Sequence, residues 1–163
     1  MIFVTVGTQL PFERLAEAVD AWAAGRPARR VFMQLGETAY RPRHCEFSAY
    51  TPPAEWERLF DEAELVVSHA GMGTILKSLE RAKPLVIMPR LAALGEHRND
   101  HQQATARRLG GLANLRVVND AGELAMALDV PPGCAELSAQ KSNPNLDRLI
   151  REIRQFIAAG EKT

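Results

Sequence analysis

The chain has 163 residues, is 46% apolar and carries 20 basic against 20 acidic residues. That is the length of one domain with enough apolar side chain for a core, which excludes a disordered chain, and zero net charge leaves no basic footprint for nucleic acid as a bulk partner. Two cysteines, Cys45 and Cys134, are too few and too far apart for a disulfide framework or a zinc site, so reduced thiols are expected.

The first element is a strand, Ile2–Val6, inside "MIFVTVGTQL". That start has no basic n-region, so no secretory leader is expected. Phe12, Leu15, Ala16 and Val19 recur at helical spacing, and "AAGRPARR" ends that helix. A second strand follows at Val31–Leu35, then "YTPPAEW" introduces a helix over 53–62. Leu65–Ser68 is the third strand, and Ile75, Leu76 and Leu79 mark the next helix. Leu85–Met88 and Leu115–Val118 are the last strands, followed by a helix over Ala121–Leu128. None of the strands alternates cleanly, so each is expected to be buried on both faces. Strands alternating with helices predict an α/β fold, a Rossmann-like parallel sheet with helices on both faces, in one domain. The α/β core is expected over 1–130, a loop over 131–145, and an amphipathic helix over 146–160 striped by Leu146, Leu149, Ile150, Ile153 and Ile157. No apolar run approaches the roughly 18–20 residues of a membrane span.

Sheets of this kind bind ligands at the carboxyl ends of their strands. Three loops there carry chemistry. In "VGTQLPF", Gly7 permits close backbone approach and Thr8 offers a hydroxyl, although an ordinary tight turn reads the same way. In "SHAGMGT", His69, Gly71, Met72, Gly73 and Thr74 stand where a strand becomes a helix. Free amides and the helix dipole would hold a diphosphate there, with hydrogen bonds from His69 and Thr74; the plainer alternative makes His69 a core histidine. In "MPRLAALGEHRNDHQQATARRL", Arg90, Glu96, His97, Arg98, Asp100 and Gln102 offer the dense donors and acceptors that a polyhydroxylated ligand needs. Asn99 with Gln102 also fits a capping box. His97 and His101 have the four-residue spacing of metal ligands, but no third ligand is evident and no metal is expected.

The stretches "SHAGMGTILKSLERAKPLVIMP" and "NDHQQATA" resemble the donor-binding signature of glycosyltransferase family 28 and of the wider GT-B superfamily. "MIFVTVGTQLPFERL" and "VFMQLGETAYRP" are similar to the small subunit of two-component sugar transferases. One such group extends dolichol-linked chitobiose with N-acetylglucosamine. The PssE/EpsE-like subunits of bacterial exopolysaccharide and capsule synthesis are more similar still. The resemblance covers roughly residues 1–118.

It implies the C-terminal, donor-binding half of a GT-B enzyme, with a membrane-anchored partner as the acceptor half. The implied reaction is inverting transfer from a UDP-sugar to a lipid-linked saccharide, with the chain cytoplasmic and recruited to the inner face of the plasma membrane through that partner. No cofactor is implied beyond the donor. By the family pattern Gly7, Thr8, His69, Gly71, Gly73 and Thr74 surround the diphosphate, with His69 stabilising the leaving group. Tyr50 and Thr51 face uracil, and Asp100 and Gln102 hold sugar hydroxyls. Many members carry a ribose-binding Glu where this chain has Lys77, which has no acceptor; Glu80 is a weak substitute. Arg90 and Arg98 would suit the carboxylate of UDP-glucuronate, although one or both could equally neutralise the diphosphate or face the partner. The general base is not placed; Glu13 and His44 are the local candidates. The alternative function is a non-catalytic UDP-sugar-binding subunit that enhances a separate transferase. A dinucleotide-binding oxidoreductase is disfavoured, because no GxGxxG follows the first strand.

Overall fold

A computed structural model describes residues 1–133. Six strands form one parallel sheet: β1 (Ile2–Thr5), β2 (Val31–Gln34), β3 (Glu46–Ser48), β4 (Leu65–His69), β5 (Leu85–Met88) and β6 (Leu115–Val117). Five helices connect and flank them: α1 (Glu13–Ala24), α2 (Pro53–Glu62), α3 (Met72–Glu80), α4 (His101–Leu109) and α5 (Ala121–Asp129), with a short 3-10 turn at Ala92–Leu94. The spatial order is β3-β2-β1-β4-β5-β6, every neighbouring pair parallel. This is the Rossmann-like architecture that the alternating pattern predicts. The expected loop beyond 133 and the helix over 146–160 lie outside the described residues.

Register explains why the strands read as unbroken apolar runs. Val4 stands opposite Met33 on one side and Val67 on the other. Ile2, Val4, Met33 and Val67 share one core with Leu15, Val19, Leu124 and Leu128 from α1 and α5. Phe3, Val66 and Ile87 point the other way, onto Leu59, Phe60, Ile75 and Leu109 from α2, α3 and α4. A strand covered on both faces is apolar along its length, and the buried polar residues Thr5, Gln34 and Ser68 fall at the carboxyl ends of their strands.

The strand missing from the sequence reading is β3, Glu46-Phe47-Ser48. It is an edge strand with Glu46 and Phe47 exposed, so burial imposes no apolar run on it. The capping box expected of Asn99 and Gln102 does not form. The residue before α4 is Asp100, with no side-chain cap, because Gln102 turns inward to a bond described below.

The chain winds outward from β1 to β2 and β3, then crosses back to β4 on the other side of β1. The loops after β1 and β4 therefore diverge and leave a crevice at the carboxyl ends of these strands.

Candidate functional site

That crevice holds a cavity of about 490 Å³. Its walls come from all three loops singled out in the sequence. Gly7, Thr8, Tyr50, Thr51, His69, Gly71, Gly73, Thr74, Arg90 and Gln102 line it. Met72, Glu96 and Asp100 do not. Met72 packs against the α2–α3–α4 core. Glu96 is held in a two-point ion pair by Arg14, at 2.7 and 2.9 Å, and accepts from the Leu91 amide. Asp100 accepts from the Ala92 amide and from Gln103. These bonds fold the loop after β5 onto itself and onto α1. Neither Glu13 nor His44 lines the cavity, and Glu80 ends α3 outside it.

The imidazole of His69 lies between two glycines. A Cβ on Gly7 would sit 2.8 Å from its Cε1, and one on Gly71 would sit 2.3 Å from its Nε2. Gly7 also has φ +81°, which favours glycine. Both residues are therefore glycine because the histidine ring needs the room. Gly73 differs, since a Cβ there would meet open space.

Gly71 precedes α3 without any side-chain cap, and Ile75 is the first residue to bond back, to the Gly71 carbonyl. The amides of Met72, Gly73 and Thr74 have no partner within the helix, and Gly73 and Thr74 face the cavity. The arrangement supplies converging donors and the positive end of a helix dipole, which is the chemistry of an anion site.

Burial pushes the pKa of His69 down to about 4, with the Arg90 cation adding to the effect. The ring is neutral at physiological pH, so it offers a hydrogen bond rather than a charge. Its Nδ1 lies 3.3 Å from Ser68 Oγ. Unfolded, the same ring protonates near pH 6.5. Between those values the unfolded chain binds the extra proton, so this contribution to stability is present above about pH 6.5 and is lost as pH falls toward 4. Full loss amounts to about 3 kcal/mol. Urea unfolding at pH 7 and pH 4.5 is expected to show a larger acid loss for the native protein than for His69→Gln. Equal losses would place the ring in water.

Arg90 is buried, and its two terminal nitrogens donate to four backbone carbonyls. These belong to Pro11 at 2.6 Å, Leu10 at 2.7 Å, Val6 at 2.8 Å and Glu96 at 3.1 Å. The sequence reading offered this guanidinium to the diphosphate, to the partner or to a sugar carboxylate. The structure instead makes it the clamp between the loops after β1 and β5, with the terminal nitrogens already engaged. Gln102 works in the same way. Its Oε1 accepts from the Ala70 amide at 3.2 Å and the Arg90 amide at 3.1 Å, so only its amide nitrogen can serve a ligand.

Several lining residues were not foreseen. Gln34, the last residue of β2, accepts from Thr5 and donates to the carbonyls of Gly7 and Ala49, which fixes the loop after β1. A lone glutamine ending an apolar strand was the available signal. Trp56 and Lys77 bring α2 and α3 into the wall. Trp56 left no signal, because a tryptophan on a short amphipathic helix reads as core. Thr51 is buried with its Oγ1 unpartnered. His97 and His101 have ring centroids 6.1 Å apart, but no cluster of three potential metal ligands occurs among the described residues. Among the same residues no helix is long and apolar enough to cross a membrane.

Residues 1–130 match the glycosyltransferase family 28 C-terminal domain. The UDP-N-acetylglucosamine transferase subunit ALG13 of Eremothecium gossypii is 39% identical over 92 residues, 55% of this chain and 43% of that protein. The Homo sapiens protein of the same name is 28% identical over 156 residues, 86% of this chain and 13% of that protein. The chain thus spans less than half the length of either relative. Among solved structures, the solution structure of ALG13 superposes with a TM-score of 0.55 at 20% identity, covering 91% of this chain and 94% of that one. A UDP-glucose:anthocyanidin 3-O-glucosyltransferase solved with UDP gives 0.59 at 14% identity, covering 97% and 35%. These likenesses show the fold, that of GT-B C-terminal domains.

Proposed function

The chain belongs to the glycosyltransferase family 28 C-terminal domain family, and from that premise we propose that it is the donor-binding catalytic subunit of a two-component inverting glycosyltransferase that uses a UDP-sugar. One observation carries the reading: an uncapped helix N-terminus, that of α3, opens into the cavity beside the neutral ring of His69.

In the reaction an acceptor hydroxyl attacks the anomeric carbon while the bond to the β-phosphate breaks. Charge then develops on the departing UDP. The amides of Gly73 and Thr74 and a hydrogen bond from His69 are placed to meet that charge without a metal. Gly7 and Thr8 complete the diphosphate cradle, Tyr50 and Thr51 serve the base, and Gln102, with Asp100 beyond the wall, serves the sugar. No Asp or Glu among the described residues lines the cavity, so we assign the acceptor's proton to a base on the partner, with His97 as the local imidazole in the wall.

That gap supports a membrane-anchored partner as acceptor half, with a lipid-linked saccharide as acceptor. The exposed Leu10, Tyr50 and Leu94, on loops at the carboxyl edge of the sheet, support the same reading. Recruitment to the inner face of the plasma membrane through that partner follows. Exopolysaccharide or capsule synthesis rests on the sequence resemblance. The relatives' name favours N-acetylglucosamine as the sugar, whereas glucuronate is left with Arg98 alone. The same gap also favours a second reading, a non-catalytic UDP-sugar-binding subunit.

The first test is thermal unfolding with UDP, UDP-sugars, GDP-sugars, ADP and NAD, alone and with the partner. A ligand at 100 times its Kd adds about 2.7 kcal/mol, a rise of roughly 5–10 °C for this size. A UDP-selective rise is expected. No rise in either setting rejects the reading. Turnover by the complex that is lost in His69→Ala separates the catalytic subunit from the enhancer.

A further inference from the structure

Much of the described surface pairs its charges. Arg26 meets Asp129, Arg30 meets Glu46, Arg58 meets Glu55 and Glu62, and Arg81 meets Asp61. The edge formed by α4 and β6 is different. Arg107, Arg108 and Arg116 are exposed there, and no carboxylate among the described residues pairs with any of them. The acidic residues nearest in the chain are engaged elsewhere. Asp100 accepts from the Ala92 amide and Gln103, Asp120 caps α5, and Glu123 accepts from the amide and side chain of Asn119. In a chain of zero net charge, three arginines without a counter-charge make a local positive field. The dipole of α4 accounts for cations in its last turn, but not for Arg116, which stands on β6.

Arg107 and Arg116 line one groove of about 470 Å³ between α4 and β6, with Gln103 and Asn119 and no acidic side chain. α4 is buried through Gln102, Ala106 and Leu109, so Arg107 and Arg108 project from its outer half. β6 is an outer strand, with β5 on one side and no strand on the other among the described residues. The groove reaches Pro89 and Asn119, which lie just beyond β5 and β6. That is the carboxyl edge of the sheet, on which the donor cavity opens.

A guanidinium matches a phosphate in charge and in the spacing of its donors. These three are exposed and spread over a helix and a strand, so they suit an array of phosphates at a surface better than one enclosed anion. An acidic leaflet is such an array, and it attracts each basic residue within about a Debye length of it. The lipid-linked acceptor proposed above keeps its reacting end near a leaflet, so a donor half with this edge on lipid holds its cavity within reach.

We propose that the α4–β6 edge docks on an anionic phospholipid leaflet, Arg107 and Arg116 holding headgroup phosphates at the groove and Arg108 adding to the attraction. This goes beyond recruitment through a partner. It takes from the UDP-sugar reading only the lipid-linked acceptor, and the contact itself needs no nucleotide.

Co-sedimentation of the full chain with vesicles, without nucleotide, tests it. Binding is expected to vesicles of equal parts phosphatidylcholine and phosphatidylglycerol, not to phosphatidylcholine alone, and it should fall as salt rises. Arg107→Gln with Arg116→Gln should weaken it about 25-fold, roughly five-fold per charge. Arg107→Gln with Arg108→Gln keeps the bond from Arg116 to the Val130 carbonyl and should lose as much, which separates lost charge from altered fold. Arg41→Gln with Arg43→Gln removes two exposed charges ahead of β3, the opposite edge of the sheet, and should leave binding nearly unchanged. Equal binding to both kinds of vesicle, no binding at low salt, or an equal loss in the variant at the opposite edge overturns the proposal. Loss of the partner complex in the Arg107 variants, with no vesicle binding by the native chain, overturns it in favour of a protein interface. The thermal shift with UDP is read separately, so failure here leaves the donor reading standing.

Discussion

Arg90→Lys is expected to lower the unfolding free energy by about 3–5 kcal/mol, the penalty for breaking a buried charged network. Arg90 is 2% exposed and serves four carbonyls on two loops. Its guanidinium also lies 4.6 Å from the centroid of the Phe12 ring. A lysine has three donors at one point, where the arginine fork reaches four separate oxygens. Each buried carbonyl left without a donor costs about 1–3 kcal/mol. Burial lowers the Arg90 pKa to about 10, so it remains a cation at neutral pH and the loss concerns geometry rather than charge. Urea unfolding and a melting temperature lower by about 10 °C would register it. The loop carrying Gly7 and Thr8 loses three of its anchors in the same step, so nucleotide binding should weaken with stability. A loss below about 1 kcal/mol would mean that water can take over those carbonyls.

The two glycines of "SHAGMGT" are expected to respond in opposite ways. Gly71→Ala puts a methyl 2.3 Å from His69 Nε2, and the ring cannot retreat because Gly7 closes the other side. Overpacking of that kind destabilises by about 1–3 kcal/mol. Gly73→Ala puts its methyl into open space inside α3, where alanine favours the helix by up to about 1 kcal/mol. Stability should therefore hold or rise, while UDP affinity falls. Alanine keeps the amide, but its methyl would stand in the space a diphosphate needs and hold it off the helix N-terminus; losing those charge-assisted bonds corresponds to about a 10- to 100-fold weaker Kd. Chemical denaturation and calorimetry on the two variants separate these effects. Unchanged affinity in Gly73→Ala would remove the diphosphate from the N-terminus of α3 and leave the packing role of Gly71 intact.

These glycines also show how far the sequence could be read. Two glycines around one methionine announced a close approach; one occurs at Gly71, to His69, whereas a Cβ on Gly73 would meet open space. The histidine that meets Gly71 is two residues away in the chain, whereas Gly7 reaches the same ring from a loop 62 positions earlier. Spacing along a chain does not distinguish a glycine vacated for a ligand from one vacated for a neighbouring side chain. The third loop shows the same limit. Arg90, Glu96 and Gln102 have the chemistry of ligand-binding groups, and the fold uses most of it internally, on carbonyls, on Arg14 and on amides.

The sequence by itself determined the alternation of strands and helices, the two-faced burial of the sheet and the loops that line the cavity. Those properties follow from local apolar pattern and from Gly and Pro punctuation, which act over a few residues. Only the tertiary structure decided the edge strand β3, the clamp role of Arg90, the neutral state of His69 and the place of Trp56 and Lys77 in the cavity wall. Each of these depends on partners from distant elements, and burial and competition among donors and acceptors are settled where the elements meet.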